Sequence, residues 1–180
     1  MIQLGDVFAT ENPMALGKAI NAVQTFTSKD NASRYSHTGV LTSPFGDALE
    51  VLWTVKSTNI FEKYKGKQIV VARPEGEQVQ KEGAIKHLKN DYLGRVYPFW
   101  RLPLFIYPPL AKTLTFKGKF LVCSEFTAKY EYLIGARHGY YTGTNPDMLV
   151  DEWQKWRNFE IIFAGPVEDL KALLDFKYIV

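Results

Sequence analysis

The chain has 180 residues, of which 46% are hydrophobic, enough to build a packed core, so a disordered or fibrous protein is excluded. A single cysteine excludes a disulfide-stapled scaffold. The net charge is +3 and the basic residues are scattered rather than gathered in a stripe, so no nucleic-acid partner is expected. This length predicts a single domain covering residues 1–180.

The apolar runs and the N-terminus indicate the cellular compartment in which the protein is expected. No apolar run reaches the roughly 18 residues that a membrane-spanning helix needs, so no transmembrane segment is predicted. Residues 1–6 lack the basic start and apolar run of a secretory signal. With one thiol and no export signal, a cytoplasmic protein is expected.

Strand and helix patterns alternate irregularly along the chain, which predicts the α+β class. Runs rich in β-branched and aromatic residues predict strands at 3–10, 34–41, 47–55, 68–72 and 159–164. Helical spacing and capping signals predict helices at 13–26, 75–90, 119–134, 146–157 and 167–174. Three prolines interrupt the apolar stretch 99–114, so only short helical turns are expected there.

The second and third predicted strands are joined by turn-forming residues, which predicts an antiparallel hairpin. If Leu41 lies opposite Gly46, His37 lies directly across from Glu50, with both side chains on one face. A shift of one residue would separate them. Glu50 interrupts an apolar run, and an unpaired buried carboxylate is costly. The alternative is a solvent-facing glutamate on an edge strand.

Cys123 lies near the start of the predicted helix 119–134. Phe126 and Tyr130 follow at helical spacing, so the thiol lies on the apolar face of the helix. Free N–H groups at a helix start favour the thiolate, an effect that is lost if the helix begins well before Cys123. The polar pair Ser124-Glu125 follows directly. The alternative is a small buried hydrophobic residue without chemistry.

His37 lies two residues before Gly39, which leaves space beside the imidazole for a backbone, a substrate or a cysteine. The alternative is an ordinary core or edge histidine. A nucleophile at a helix start, a base on a strand and an orienting carboxylate together meet the needs of a thiol enzyme. His37 would take the thiol proton, Glu50 would hold the other ring N–H, and the Cys123 N–H would face the oxyanion.

Three segments carry a family resemblance: His37 in Tyr-Ser-His-Thr-Gly-Val-Leu, Glu50 in Ala-Leu-Glu-Val-Leu and Cys123 in Phe-Leu-Val-Cys-Ser-Glu-Phe. In this chain order they resemble the permuted NlpC-type papain-like superfamily of cysteine hydrolases, and within it the YiiX-like branch. Gly5–Phe8 resembles the opening strand of that family. Leu93–Tyr97 resembles a segment that places a tyrosine near the site.

The resemblance covers about residues 5–134, and the segment after Gly135 matches none of the family's patterns. It implies a circularly permuted papain-like fold, an antiparallel sheet packed against helices. It also implies cleavage of an amide bond through an acyl-thioester on Cys123, by a peptidase or amidase that needs no cofactor.

The implied substrate is a peptide, peptidoglycan or a lipid amide. Without an export signal, a peptidoglycan enzyme would have to be delivered to the cell wall by another protein or carried by a phage. The candidate substrate-binding residues are Tyr35 beside His37, and Tyr97 and Trp100 in the irregular proline-containing segment.

Two alternative functions stay open. An acyltransferase similar to the lecithin:retinol acyltransferase relatives would pass the acyl group to an alcohol or amine, and the apolar stretch 99–110 would suit a lipid substrate. A non-catalytic binding module would keep the fold with an inert cysteine. The three histidines and the cysteine lack metal-ligand spacing, so no metal is expected. The glycines at 135, 139 and 143 fit no nucleotide-binding fingerprint.

Overall fold

The computed structural model describes residues 1–11, 34–96, 121–139 and 141–179. The strands are β1 (Val7–Thr10), β2 (His37–Leu41), β3 (Asp47–Val51), β4 (Val55–Asn59), β5 (Gln68–Pro74) and β6 (Phe159–Pro166). The helices are α1 (Ile60–Lys63), α2 (Gln78–Tyr92), α3 (Cys123–Leu133), α4 (Pro146–Lys155) and α5 (Val167–Ile179). None of these described helices is long and apolar enough to cross a membrane.

The described strands form one six-stranded sheet in the order β4-β3-β2-β1-β5-β6. Every neighbouring pair is antiparallel. With helices packed against this sheet, the class is α+β, which confirms the prediction.

Side chains alternate between the two faces of the sheet, so neighbouring residues enter different cores. Val7 of β1 belongs to a core covered by α2, α3 and α4, whereas Phe8 belongs to a core covered by α1 and α5. Helix α3 lies along β2, where the hydroxyls of Thr127 and Thr38 are hydrogen-bonded at 3.1 Å. This packing brings the start of α3 to the start of β2.

The β2–β3 hairpin closes in a different register from the predicted one. The structure pairs Leu41 with Ala48 and Gly39 with Glu50, so the predicted pairing of Leu41 with Gly46 is wrong. The turn contains more residues than predicted. It is held by the Ser43 hydroxyl, which accepts hydrogen bonds from the N–H groups of Phe45 and Asp47. Since strand side chains repeat every two residues, the two-residue shift leaves His37 and Glu50 on one face as diagonal neighbours.

Several predicted elements differ at their boundaries. The predicted strand 47–55 is two strands, β3 and β4, because the chain reverses so that Val51 faces Val55. Helix α3 begins at Cys123 rather than Lys119, since Val122 is extended at φ −81° and ψ 169°. The predicted helix 13–26 and the apolar stretch 99–114 lie outside the described residues.

Candidate active site

The first pair of site residues is His37, at the start of β2, and Glu50 on β3. Their side chains are both 0% exposed, and His37 Nε2 lies 2.6 Å from Glu50 Oε2. Glu50 is therefore not a solvent-facing edge residue. The contact forms despite the wrong predicted register, because a diagonal pair on one face is still within reach of long side chains.

Glu50 has further partners that the sequence did not reveal. The Tyr64 hydroxyl donates to Oε2, and the Thr58 hydroxyl donates to Oε1. Lys63 Nζ lies 3.7 Å from Oε1. Burial alone would raise the pKa of Glu50, but its hydrogen bonds and the charge of His37 lower that pKa to about 2. Glu50 is therefore a carboxylate anion held by several donors.

Cys123 is the first residue of α3 and is only 2% exposed. The first hydrogen bond of the helix runs from the Phe126 N–H to the Val122 carbonyl at 2.9 Å. The Cys123 N–H thus belongs to the first turn, where backbone donors have no partner within the helix. The helix start that the predicted chemistry needs is present.

His37 lies between Glu50 and Cys123. Burial alone would lower the pKa of His37, but the neighbouring Cys123 thiol and Glu50 raise it to about 9. Because Nε2 bonds Glu50, the thiol lies on the Nδ1 side of the ring. Nδ1 is buried and has no hydrogen-bond partner among the residues that the structure describes. Nδ1 is therefore the nitrogen placed to take a proton.

The space beside Gly39 is not filled as predicted. A Cβ at Gly39 would lie 2.6 Å from Cε1 of Phe8 and 3.1 Å from Cβ of Glu50. These side chains, and not a backbone, a substrate or the thiol, occupy it. The Phe8 and Tyr64 rings lie 6.3 and 5.9 Å from the His37 ring. Because Gly39 has no Cβ, the Phe8 ring can pack directly against β2.

The start of α3 is attached to the segment before α4. The Ser124 hydroxyl donates to the Thr144 carbonyl at 2.6 Å. The buried Glu125 carboxylate accepts from the N–H of Gly143 at 2.8 Å and of Val122 at 3.3 Å. The polar pair after Cys123 thus holds the helix start in place, and two of its partners, Gly143 and Thr144, come from the part of the chain that matches no family pattern.

Of the predicted substrate-binding residues, the structure describes Tyr35. Tyr35 is half-buried, two residues before His37, and packs against the first core. Burial raises the pKa of Tyr35, and Arg34 and Asp147 act on it in opposite directions. Tyr97 and Trp100 lie outside the described residues.

A second buried carboxylate, Glu131, lies at the other end of α3. Its Oε2 accepts from Arg137 Nε at 2.8 Å, and its Oε1 accepts from Trp153 Nε1 at 2.7 Å. Burial raises the pKa of Glu131 to about 7, although Arg137 and Trp153 lower it. Glu131 lies eight positions after Cys123 along the helix, a distance of roughly 12 Å, so Glu131 is not part of the His37 site.

Comparison with known proteins bears on the fold. No protein-family model and no curated protein matches the chain. Among solved structures, the chain is similar to one described as metalloprotein yiiX from Escherichia coli. The two are 23% identical, the match covers 91% of this chain and 89% of that chain, and the TM-score is 0.52. The fold is YiiX-like.

That neighbour is described as a metalloprotein, and a metal ion would need several donor side chains grouped around one point. Within the described ranges, no three His, Cys, Asp or Glu side chains are grouped to hold one ion. His37 Nε2 is already bonded to the Glu50 carboxylate. The described residues do not fit a metal centre.

Proposed function

We propose that this protein is a cysteine-dependent hydrolase, a peptidase or amidase with a permuted papain-like fold. Cys123 is the nucleophile, His37 the base and Glu50 the group that orients His37. One observation carries the proposal: His37 bonds Glu50 through Nε2 at 2.6 Å and keeps its buried Nδ1 unpaired, within the described residues, beside a cysteine that opens a helix.

The first half of the reaction forms an acyl-thioester. The Cys123 sulfur attacks the amide carbonyl while His37 Nδ1 takes the thiol proton. The Cys123 N–H, in the first turn of α3, donates to the developing oxyanion. As the C–N bond breaks, His37 returns the proton to the leaving amine.

The second half releases the acid. Neutral His37 takes a proton from water through Nδ1, and the hydroxyl attacks the thioester carbonyl. The C–S bond breaks, and the proton on His37 returns to the sulfur. Glu50 accepts the hydrogen bond from the Nε2–H of His37 throughout. This bond keeps the tautomer in which Nδ1 faces Cys123, and it stabilises the imidazolium.

The expected substrate is a peptide, a peptidoglycan stem or a lipid amide. Its class rests on the resemblance of the segments around His37, Glu50 and Cys123. An acyltransferase would form the same acyl-thioester, so the product distinguishes the two: a free acid means hydrolysis, and an ester or new amide means transfer. Tyr35, Tyr97 and Trp100 are the residues we propose to contact the substrate.

The first test uses the single cysteine. Brief treatment with iodoacetamide at neutral pH, followed by whole-protein mass, reports on Cys123 alone. We expect the wild type to react faster than the His37→Ala variant, because His37 favours the thiolate. The matched control is His138→Ala, which removes an exposed histidine and should leave the rate unchanged.

Turnover is then measured on acyl-peptide and lipid-amide substrates with the same variants. Equal alkylation rates in the wild type and His37→Ala, together with amide cleavage retained in Cys123→Ala, would contradict the proposed roles. Absence of cleavage and transfer on all substrates, with a thiol that reacts only after unfolding, would favour the binding module.

A further inference from the structure

The Glu50 carboxylate accepts more hydrogen bonds than are needed to orient one histidine. Its Oε2 accepts from both His37 Nε2 and the Tyr64 hydroxyl, and its Oε1 accepts from the Thr58 hydroxyl. Tyr64 is fully buried and Thr58 half-buried. Because two donors share Oε2, each limits the charge available to the other.

We propose that the Tyr64 and Thr58 hydroxyls are positioning groups that reduce how strongly Glu50 stabilises the protonated His37. His37 can then release its proton during catalysis. The catalytic consequence rests on the function proposed above, whereas the effect on His37 itself does not.

The physical reason is the demand that the reaction places on His37. A buried carboxylate bonded to an imidazole alone would stabilise the imidazolium strongly, because a low dielectric magnifies the attraction. His37 must lose its proton to the leaving amine and must be neutral again to activate water. Neutral donors to Glu50 take up part of the negative charge without adding a charge of their own.

The other groups around His37 and Glu50 act differently. Cys123 faces His37 and raises its pKa, as Glu50 does. Lys63 Nζ lies 3.7 Å from Glu50 Oε1, longer than a hydrogen bond, and Lys56 lies next to it, so Lys63 acts on Glu50 through its charge rather than as a close donor. Burial and Glu50 raise the pKa of Tyr64, which keeps its hydroxyl a donor.

The position of the Tyr64 hydroxyl is set by elements that do not depend on Glu50. The Tyr64 N–H donates to the Ile60 carbonyl at 3.0 Å at the end of α1. The Tyr64 ring packs against Phe8, with centroids 5.9 Å apart. Replacing Tyr64 with phenylalanine therefore removes the hydroxyl and leaves the ring in place.

The test measures the titration of His37 directly. The protein has three histidines, so their ring signals are followed by NMR across pH, and His37 is assigned from the His37→Ala spectrum. We expect the midpoint of His37 to move upward in Tyr64→Phe and, by less, in Thr58→Val. The exposed His87 and His138 serve as references that should not move.

A matched control separates the hydroxyl effect from general loosening. Tyr130 is also fully buried, and its hydroxyl donates to the Gly5 carbonyl at 2.9 Å. Tyr130→Phe removes a comparable buried hydrogen bond away from Glu50. It should leave the His37 midpoint where it is in the wild type.

Kinetics on a cleavable amide supply the second readout. We expect kcat at pH 7 to fall about tenfold in Tyr64→Phe and about threefold in Thr58→Val, with KM nearly unchanged. The acidic limb of the kcat profile should move to higher pH, because His37 must be neutral to activate water. A purely structural role would lower the folded fraction without moving that limb.

Two results overturn the inference. One is a His37 midpoint that is unmoved or lowered in the folded variants, and the other is an upward move that Tyr130→Phe reproduces. If Tyr64→Phe does not fold, Thr58→Val decides by the same criterion. Failure of the proposed function is distinguished because it appears as absent turnover in the wild type, whereas the titration needs no substrate.

Discussion

Glu50 and Glu131 are both fully buried carboxylates, yet they have opposite surroundings. Glu50 meets a histidine and two hydroxyls, its pKa is lowered to about 2, and its partner His37 keeps one buried nitrogen unpaired among the described residues. The pKa of Glu131 is raised to about 7, and both its oxygens accept hydrogen bonds, from Arg137 and from Trp153. The difference separates the proposed active site from a cluster of satisfied hydrogen bonds that holds two helices together.

The Glu131 cluster joins the end of α3 to α4. Arg137 bonds Glu131 through Nε and Glu152 through its terminal nitrogen, and Trp153 completes the contact. Native proteins rarely leave buried polar atoms unpaired, so the unpaired nitrogen of His37 agrees with the catalytic role proposed for it, whereas the paired oxygens of Glu131 agree with a structural role. Substitutions in the two places should therefore differ in what they damage.

The largest expected effect is at the nucleophile. Cys123→Ala should abolish amide hydrolysis, because no other group at the helix start can form the acyl-thioester. Its free energy of unfolding should fall by only about 1 kcal/mol, since one sulfur atom is lost from the core. The measurements are turnover and urea unfolding. Cleavage at the wild-type rate by purified Cys123→Ala would show that the nucleophile lies elsewhere.

The next effect is on stability, at the other carboxylate. Arg137→Met should lower the free energy of unfolding by about 3–5 kcal/mol, because it leaves Glu131 buried without its cation. Urea unfolding at pH 8, where Glu131 is ionised, measures it. Lys155→Met, which removes an exposed partner of Asp151, is the control and should change stability little. An equal loss in both variants would refute the structural assignment of the cluster.

A third substitution compares the two carboxylates directly. Glu50→Gln should lower kcat/KM about 10- to 100-fold, because the amide still accepts from His37 but no longer stabilises the imidazolium. Glu131→Gln should leave kcat/KM unchanged. Both variants are assayed on one substrate after their folded fractions have been matched. Equal losses of activity would mean that the comparison does not separate catalysis from structure.

The sequence predicted the His37–Glu50 contact through a wrong register, because strand periodicity tolerates a shift of two residues. It placed Cys123 near a helix start, although the start came four residues later than predicted. Val122 carries none of the usual capping side chains, so the signal for that boundary was Glu125, three residues on, whose carboxylate accepts from the Val122 N–H.

The positioning groups around Glu50 were missed for a related reason. The reversal between β3 and β4 contains no glycine, proline or asparagine, so one long strand was predicted where two exist. No position beside Glu50 was therefore predicted for Thr58 or Tyr64. Asn59 was the available signal, since its side chain caps α1 by accepting from the Phe61 N–H at 3.1 Å.

The smallest and most specific effect is the dependence of stability on pH. A pKa near 2 for folded Glu50, below its ordinary 4.5, stabilises the protein above pH 4.5, and this is lost as the pH falls towards 2. For Glu131 the sign is reversed: a folded pKa near 7 lets the unfolded chain ionise first, so stability falls between pH 4.5 and 7.

Urea unfolding across pH measures both slopes. Glu50→Gln should flatten the acidic slope and keep the fall between pH 4.5 and 7, and Glu131→Gln should do the reverse. If Glu131→Gln keeps its neutral slope, another group titrates there and the contrast between the two carboxylates is smaller than their surroundings indicate.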